Sequence, residues 1–386
     1  MDCYISKLSN DIVESIFFKL PTAALSQCRA VCKSWRNIIS DPDFIKLHSS
    51  SCFSLLLLME TVTKGLTIRT STDEIFQQTK KMELFCLEFL AGSCHLGSLP
   101  WLGPLLFVNS CNGLLCLRQQ FPGILIINPS KGECVTLPCR NRWCWDLTDG
   151  VLGFCLKSKR YKAIEISCRF GKSGRYWEAY VYTLGTADFW RSIGAAPSYE
   201  GIYRRDFSKV FANGYLYWLD NSRERFGEVL SFDFEREKFG SLSLPCVDIW
   251  EGIGDFGDSI YACKYGKYDD DYVLEIWLMK EYGVKESWAK LLVLKYHRDC
   301  GSFFHLEVIK ALENGDLLLY NGFDFVLYNR GNNKYTRLDI PQEVQLHFDG
   351  KRLDLIVPNN PNVASLKDVV VGDNLKFFKL KYKTMI

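Results

Sequence analysis

The sequence predicts a mainly β protein that begins with a small all-α domain. Three observations predict it. Up to about residue 50 the apolar side chains recur every three to four positions, after about residue 52 they recur every two, and a strand–turn unit returns about every 50 residues through the longer part. Aromatic residues make up 14% of the chain, beside 28 Gly and only 12 Pro, which also favours a large β body.

The bulk composition narrows the classes. A chain of 386 residues suits two or three ordinary domains, or one small domain and one large one. With 47% hydrophobic and 24% charged residues, wholesale disorder is excluded. A net charge of +2 is too balanced for affinity carried by phosphate contacts, so no nucleic-acid partner is expected. The 16 cysteines are irregularly spaced, no charged-then-apolar leader opens the chain, and no Asn-x-Ser/Thr site with a permitted middle residue occurs. The apolar run Phe53 to Met59 is too short to span a bilayer. The thiols therefore read as reduced, in a protein of the cytoplasm or nucleus with no membrane partner. No Cys-x-x-Cys occurs and the five His are scattered, so neither a metal nor a cofactor is expected.

Residues 1–50 read as the helical domain. Leu8, Ile12, Ile16 and Leu20 fall every four residues, and Val13 and Phe17 widen the stripe. Ser9 or Asn10 can cap the first helix, Asp11 and Glu14 suit its positive end, and Pro21 stops it. Thr22 is placed to cap a second helix containing Leu25, Cys28 and Val31; a third carries Trp35, Ile38 and Ile39 and ends before Asp41-Pro42. Three helices this short enclose little core by themselves and need a partner surface.

Leu8-Ser-Asn-Asp-Ile-Val-Glu-Ser-Ile-Phe-Phe-Lys-Leu-Pro21, followed by Leu25, Arg29, Val31-Cys-Lys-Ser-Trp35, Ile39 and Phe44, resembles an F-box. The resemblance covers about forty residues and departs at Ser9, where the family usually has Pro. It implies docking on the Skp-type adaptor of cullin–RING ubiquitin ligases, through Leu8, Ile12, Ile16, Leu20, Pro21, Leu25, Val31 and Trp35.

Residues 52–386 read as the β domain. Its unit is a glycine turn, a short apolar strand, a second strand, a polar turn and a Leu-Pro-like end. It appears at Asn112-Gly-Leu-Leu-Cys116 with Ile126 to Gly132 and Leu137-Pro138; at Asn213-Gly-Tyr-Leu-Tyr-Trp218 with Leu230 to Phe234 and Leu244-Pro245; and at Asn314 to Leu319 with Phe325 to Asn329 and Ile340-Pro341. Variants lie between, around Gly153 with Trp190 and around Gly257 with Trp288. This period belongs to four-stranded blades of a β-propeller, in which each blade covers its neighbour's exposed face. About six blades are expected, with five or seven possible, one of them shared between segments 53–90 and 353–380. The uneven steps leave a doubled β-sandwich open.

The same stretch is similar to the F-box-associated, kelch-type C-terminal domain common in plant F-box proteins. The residues that carry this are Ser110-Cys-Asn-Gly-Leu-Leu115, Asn128-Pro-Ser-Lys131, Tyr182, Trp190-Arg191, Gly214-Tyr-Leu-Tyr-Trp218 and Glu275 to Glu281. No Gly-Gly pair occurs, which departs from ordinary kelch repeats.

No nucleophile motif accompanies the His residues, and no P-loop occurs. Gly252-Ile-Gly254-Asp-Phe-Gly257 matches a dinucleotide fingerprint in letters only and reads as a blade turn. Asp269-Asp-Asp271 reads as a solvated loop tip. Residues 157–175 carry seven Lys or Arg against Glu165 alone, a patch able to receive an acidic group unless its charge is balanced elsewhere in the fold. Arg140, Arg142, Trp143 and Trp145 combine cations and indoles in one loop and are the expected substrate-binding residues. The function expected is a non-catalytic substrate-recognition subunit of a Skp–cullin–F-box ubiquitin ligase, with an unspecified target protein. The alternative is a carbohydrate-binding or other recognition propeller acting outside a ligase.

Overall fold

The computed structural model describes residues 8–20, 22–41, 44, 54–69, 74–88, 93–99, 105–119, 123–140, 148–172, 174–186, 189–197, 209–220, 227–256, 259–268, 271–297, 307–312, 315–320, 325–338, 355–359, 365–369, 376–379 and 381–385. Three helices come first: α1 (Asn10–Phe17), α2 (Thr22–Cys28) and α3 (Lys33–Ser40). Beyond them, the described residues hold only a single 3-10 turn at Lys285–Ser287 and a four-residue helix at Leu366–Val369, among 26 strands.

Five consecutive antiparallel meanders make up most of the β body. They are β4–β7 (Leu105–Cys111, Leu114–Gln119, Ile124–Asn128, Glu133–Thr136), β8–β11 (Thr148–Cys155, Arg160–Gly171, Gly174–Thr183, Arg191–Ala195), β12–β15 (Lys209–Ala212, Tyr215–Asp220, Glu228–Asp233, Lys238–Ser243), β16–β19 (Gly252–Phe256, Ser259–Tyr268, Asp271–Met279, Trp288–His297) and β20–β23 (Glu307–Ala311, Leu317–Tyr320, Phe325–Asn329, Lys334–Arg337). A sixth sheet is composite. The early strands β1 (Ser54–Arg69), β2 (Glu74–Glu88) and β3 (Ser93–Leu99) are flanked by the late strands β24 (Leu355–Asn359) on β1 and β26 (Lys381–Met385) on β3. Between those two late strands, β25 (Lys376–Lys379) leaves to pair with β7. The expected shared blade is thus built from both ends of the chain. Strand β4 meets both β8 and β12, β8 also meets β13, and the inner contacts then run from β12 to β16, β16 to β20, β20 to β24 and β24 back to β4. This is a closed ring, in which each sheet covers the next.

The recurring sequence unit has a direct structural meaning. Asn112 and Asn213 sit at φ +45° and +51°, followed by Gly113 and Gly214 at +75° and +82°, so Asn-Gly closes the first hairpin of its blade. Asn128, Asp233 and Asn329 each end a third strand, and each side-chain oxygen accepts a backbone N–H two or three residues on, from Lys131, Glu235 and Arg236, and Asn332. The Leu-Pro end marks where the fourth strand lets go: Leu137 N–H donates to the Ile124 carbonyl and Leu244 N–H to Gly227. In the last meander the equivalent donor is Leu338, to Phe325, two residues before the Ile340-Pro341 that the sequence suggested. The variant meanders use Trp as a tie. Trp190 Nε1 donates to the Pro138 carbonyl and Trp288 Nε1 to the Ser243 carbonyl, each reaching back to the preceding blade.

Between blades the core is continuous from β4 to β15, and further cores join β12–β15 to β16–β19 and β16–β19 to β20–β23. Fully buried Asn109 joins two inner strands: its Nδ2 donates to the Leu152 carbonyl and its Oδ1 accepts Leu152 N–H. Gly252 to Phe256, expected as a turn, is the innermost strand of its blade. A Cβ at Gly254 would stand 2.4 Å from the Tyr261 ring, and one at Gly153 would stand 2.1 Å from the Phe234 ring, so these glycines admit packed aromatics rather than a phosphate. A Cβ at Gly252 would likewise come within 2.9 Å of Cys263 Sγ. The short helix at 366–369 is fixed by Glu133 of β7, whose carboxylate accepts Leu366 N–H and the Ser365 hydroxyl.

Candidate functional site

The helices sort their apolar residues into an inner and an outer set. Val13 and Phe17 of α1, Leu25 of α2, Ile39 of α3 and Phe44 form the small core. Trp35 packs edge-on against Phe17 at 5.0 Å and Phe18 against Phe44 at 5.5 Å. Ile12 and Ile16 of α1 are 49% and 45% exposed, and Leu8, just before the helix, is 38% exposed. A step of four residues turns about 400° around the axis, so Ile12 and Ile16 share one face of α1, and Leu8 precedes the extended cap residue Ser9. Leu20, in the turn that follows α1, is half-buried against the core. Val31, between α2 and α3, is 64% exposed.

The expected adaptor-binding residues therefore divide. Leu8, Ile12, Ile16 and Val31 lie at the surface, Leu20 and Trp35 are half-buried, and Leu25 is wholly inside, where it holds α2 to α1 and α3. Pro21 lies outside the described residues. Capping also differs from expectation. Ser9 precedes α1 without a side-chain cap, Thr22 is the first residue of α2 rather than its cap, and Cys32 caps α3, its Sγ accepting Trp35 N–H at 3.5 Å.

Leu8, Ile12 and Ile16 thus remain exposed at and just before a short helix whose inner face is already packed. Burying each of them fully in a partner would contribute about 1.5–3 kcal/mol.

On the β body, strand order sorts the loops between two ends. Turns joining first to second and third to fourth strands open at one end; second-to-third turns and blade-to-blade links open at the other. Arg140 follows β7 and precedes β8, on the link between two blades. Arg142, Trp143 and Trp145 fall outside the described residues, but Arg140 is placed. Its Nε donates to Glu165 at 3.1 Å, its Nη2 to the Ser167 hydroxyl at 2.8 Å, and its guanidinium lies 3.8 Å from the Tyr180 ring centre. Arg140 thus serves the packing of β9 and β10 at the rim of this end. Nothing in the spacing of Arg140 and Glu165, 25 residues apart, signals the pair.

The basic run 157–175 is also divided. At one end Lys157 pairs with Glu235 and Lys162 with Glu237, which also takes Arg191. At the other, Arg169 donates to the Tyr180 hydroxyl, which donates to Glu178. Hydrogen bonds from Tyr180 and Ser192, with the charges of Arg169 and Arg140, outweigh burial and hold the Glu178 carboxyl below the usual carboxylate range. Among the described residues no group of three or more His, Cys, Asp or Glu is placed to hold a metal ion.

Residues 5–47 match the family model of the F-box domain, and residues 77–360 match that of the F-box associated beta propeller domain. The chain is 28% identical to F-box protein At3g07870 of Arabidopsis thaliana, over 86% of this chain and 88% of that one. It is 26% identical to F-box protein CPR1 of the same plant, over 86% and 84%. F-box/kelch-repeat protein At3g23880, also of Arabidopsis thaliana, is 24% identical over 73% and 78%.

Proposed function

Because this chain belongs to the F-box proteins that carry an F-box associated beta propeller domain, it is substrate-receptor-like in architecture, and we propose that it is the target-binding subunit of a Skp–cullin–F-box ubiquitin ligase. The Skp-type adaptor docks at α1 through Leu8, Ile12 and Ile16, with Leu20 just after the helix and Val31 as a further contact. The propeller holds a target protein. The chain itself performs no covalent step. Its contribution is effective concentration, since it holds the target's lysines near a charged conjugating enzyme that the scaffold also carries. The reading places the protein in the cytoplasm or nucleus. The buried thiols suit that setting: burial pushes Cys111 up, and burial, with the charge of Glu133, pushes Cys134 up to about 12, so both stay protonated and inert.

The observation that carries this reading is the exposure of Ile12 and Ile16 on a helix already packed on its other side, with Leu8 exposed just before it. Co-expression with a Skp-type adaptor tests it. The full chain should co-elute with the adaptor, and the Ile12→Asp, Ile16→Asp variant should elute alone with its β circular dichroism unchanged. Co-elution of that variant would refute the docking face.

A further inference from the structure

Among the described residues, strands β9 and β10 outrun their neighbours. Pairing of β8 with β9 starts at Thr148–Ser167, and pairing of β10 with β11 ends at Glu178–Ala195, extended only by Ala196 N–H to the Trp177 carbonyl. Beyond that, β9 and β10 continue as a two-stranded ribbon, pairing Cys168 with Trp177, Arg169 with Tyr176, Phe170 with Arg175 and Gly171 with Gly174. Four residues at about 3.4 Å each project it some 13 Å past the sheet. It points to the end of the β body where the blade-to-blade links lie, Arg140's among them.

Directly paired residues share a face, and beyond the partly buried Cys168–Trp177 pair each face of the ribbon carries one aromatic and one cation. Phe170 stands beside Arg175 on one face, and Tyr176 beside Arg169 on the other. Phe170 is 76% exposed and Tyr176 51%. Gly171 leaves room for the Tyr176 ring, whose nearest carbon would be 3.1 Å from a Cβ there. Residues 168–176 contain Arg169, Lys172 and Arg175 and no acidic residue. The carboxylates at the base, Glu165 and Glu178, are engaged with Arg140 and Arg169. Lys172 and Arg175 are exposed and make no ion pair among the described residues.

We propose that this ribbon is a recognition finger for an acidic segment of the target protein, with Lys172 and Arg175 meeting carboxylates and Phe170 and Tyr176 packing on apolar side chains between them. The proposal deepens the receptor reading and rests on it for the word target. The charge complementarity selects the partner: Lys172 and Arg175, two exposed cations on a nine-residue segment with no acidic residue, attract an anionic chain, and the two exposed rings supply the apolar contact a peptide gives.

The test uses the full chain in complex with the adaptor and fluorescein-labelled peptides: a short peptide of Asp, Glu and Tyr, its Asn/Gln counterpart and a Lys-rich one. The acidic peptide should bind best, and its binding should weaken as salt rises. Lys172→Glu with Arg175→Glu should weaken it about tenfold or more. Phe170→Ser should weaken it and leave the salt dependence unchanged. Adaptor binding should be the same in every variant. Equal affinity for the acidic and Asn/Gln peptides, or full affinity in the charge-reversed variant, would overturn the finger. So would tighter binding of single-stranded RNA or phosphatidylserine vesicles that the same reversal abolishes. Loss of adaptor binding with the peptide preference kept would overturn the receptor reading and leave the finger supported.

Discussion

Glu237 lies between two cations of the neighbouring meander, Lys162 Nζ at 2.8 Å and the Arg191 guanidinium, while Lys162 also donates to the Phe234 carbonyl. Burial pushes the Glu237 carboxyl up, but the hydrogen bonds and charges of the two cations outweigh it and hold the carboxyl below its usual range. The same balance lowers Glu275, buried beside Lys290, and Asp233, which accepts backbone N–H groups. A carboxyl lowered in the folded state stabilises fully above its unfolded pKa of about 4, and that stability is lost as pH falls through the folded value. Thermal melting should therefore be flat from neutral pH down to about pH 5 and should fall steeply below about pH 4. Glu237→Gln should melt lower at neutral pH and fall less steeply in acid; an unchanged acid slope would remove Glu237 from the account. The Arg140–Glu165 pair tests the rim in the same way. Glu165→Ala leaves a half-buried guanidinium without its partner and should cost about 3 kcal/mol, read by urea unfolding. A loss near zero would mean that solvent already screens the pair.

At the scale of elements, the sequence showed the repeat because each turn is chemically specified. Asn-Gly at 112–113 and 213–214 needs positive φ twice in succession, and Asn128, Asp233 and Asn329 need a short side chain able to accept from the next turn's backbone. Those signals are local, so they are visible in letters. What was not legible depends on contacts between distant segments. The Gly252–Phe256 strand read as a turn because glycine usually marks one, whereas here glycine makes room for Tyr261 across the hairpin. Leu25 read as a docking residue because helical spacing does not say which side of a bundle faces inward. Cys32 gave no sign of capping α3 because Cys is not among the usual capping residues. Gly153→Val probes the packing argument directly. Its new side chain would meet the Phe234 ring between adjacent blades, and the variant should lose about 1–3 kcal/mol. Wild-type stability in that variant would contradict the close approach.

For the whole molecule, closure depends on the two ends. β24 and β26 flank strands from the beginning of the β body, and β25 extends the β4–β7 sheet. Removing residues 355–386 would leave β1, β3 and β7 without those partners and open the ring between β20 and β4. The truncated chain should lose cooperative unfolding; a sharp melt at the wild-type temperature would show that the ring does not need its closure. The receptor account treats this closed body and the helical module as separate binding parts, one for the target and one for the adaptor.

The affinity of the full chain for a purified Skp-type adaptor, by calorimetry, tests that account most directly. Ile12→Ala with Ile16→Ala removes two exposed side chains and leaves the Val13–Phe17–Leu25–Ile39 core intact, which makes it a cleaner probe than Leu20 or Trp35. The account predicts a wild-type complex that weakens about a hundredfold in this variant, with the helical and β circular dichroism preserved and the Lys172→Glu, Arg175→Glu variant binding as wild type. Equal affinity of wild type and the Ile12/Ile16 variant, both folded, would contradict it.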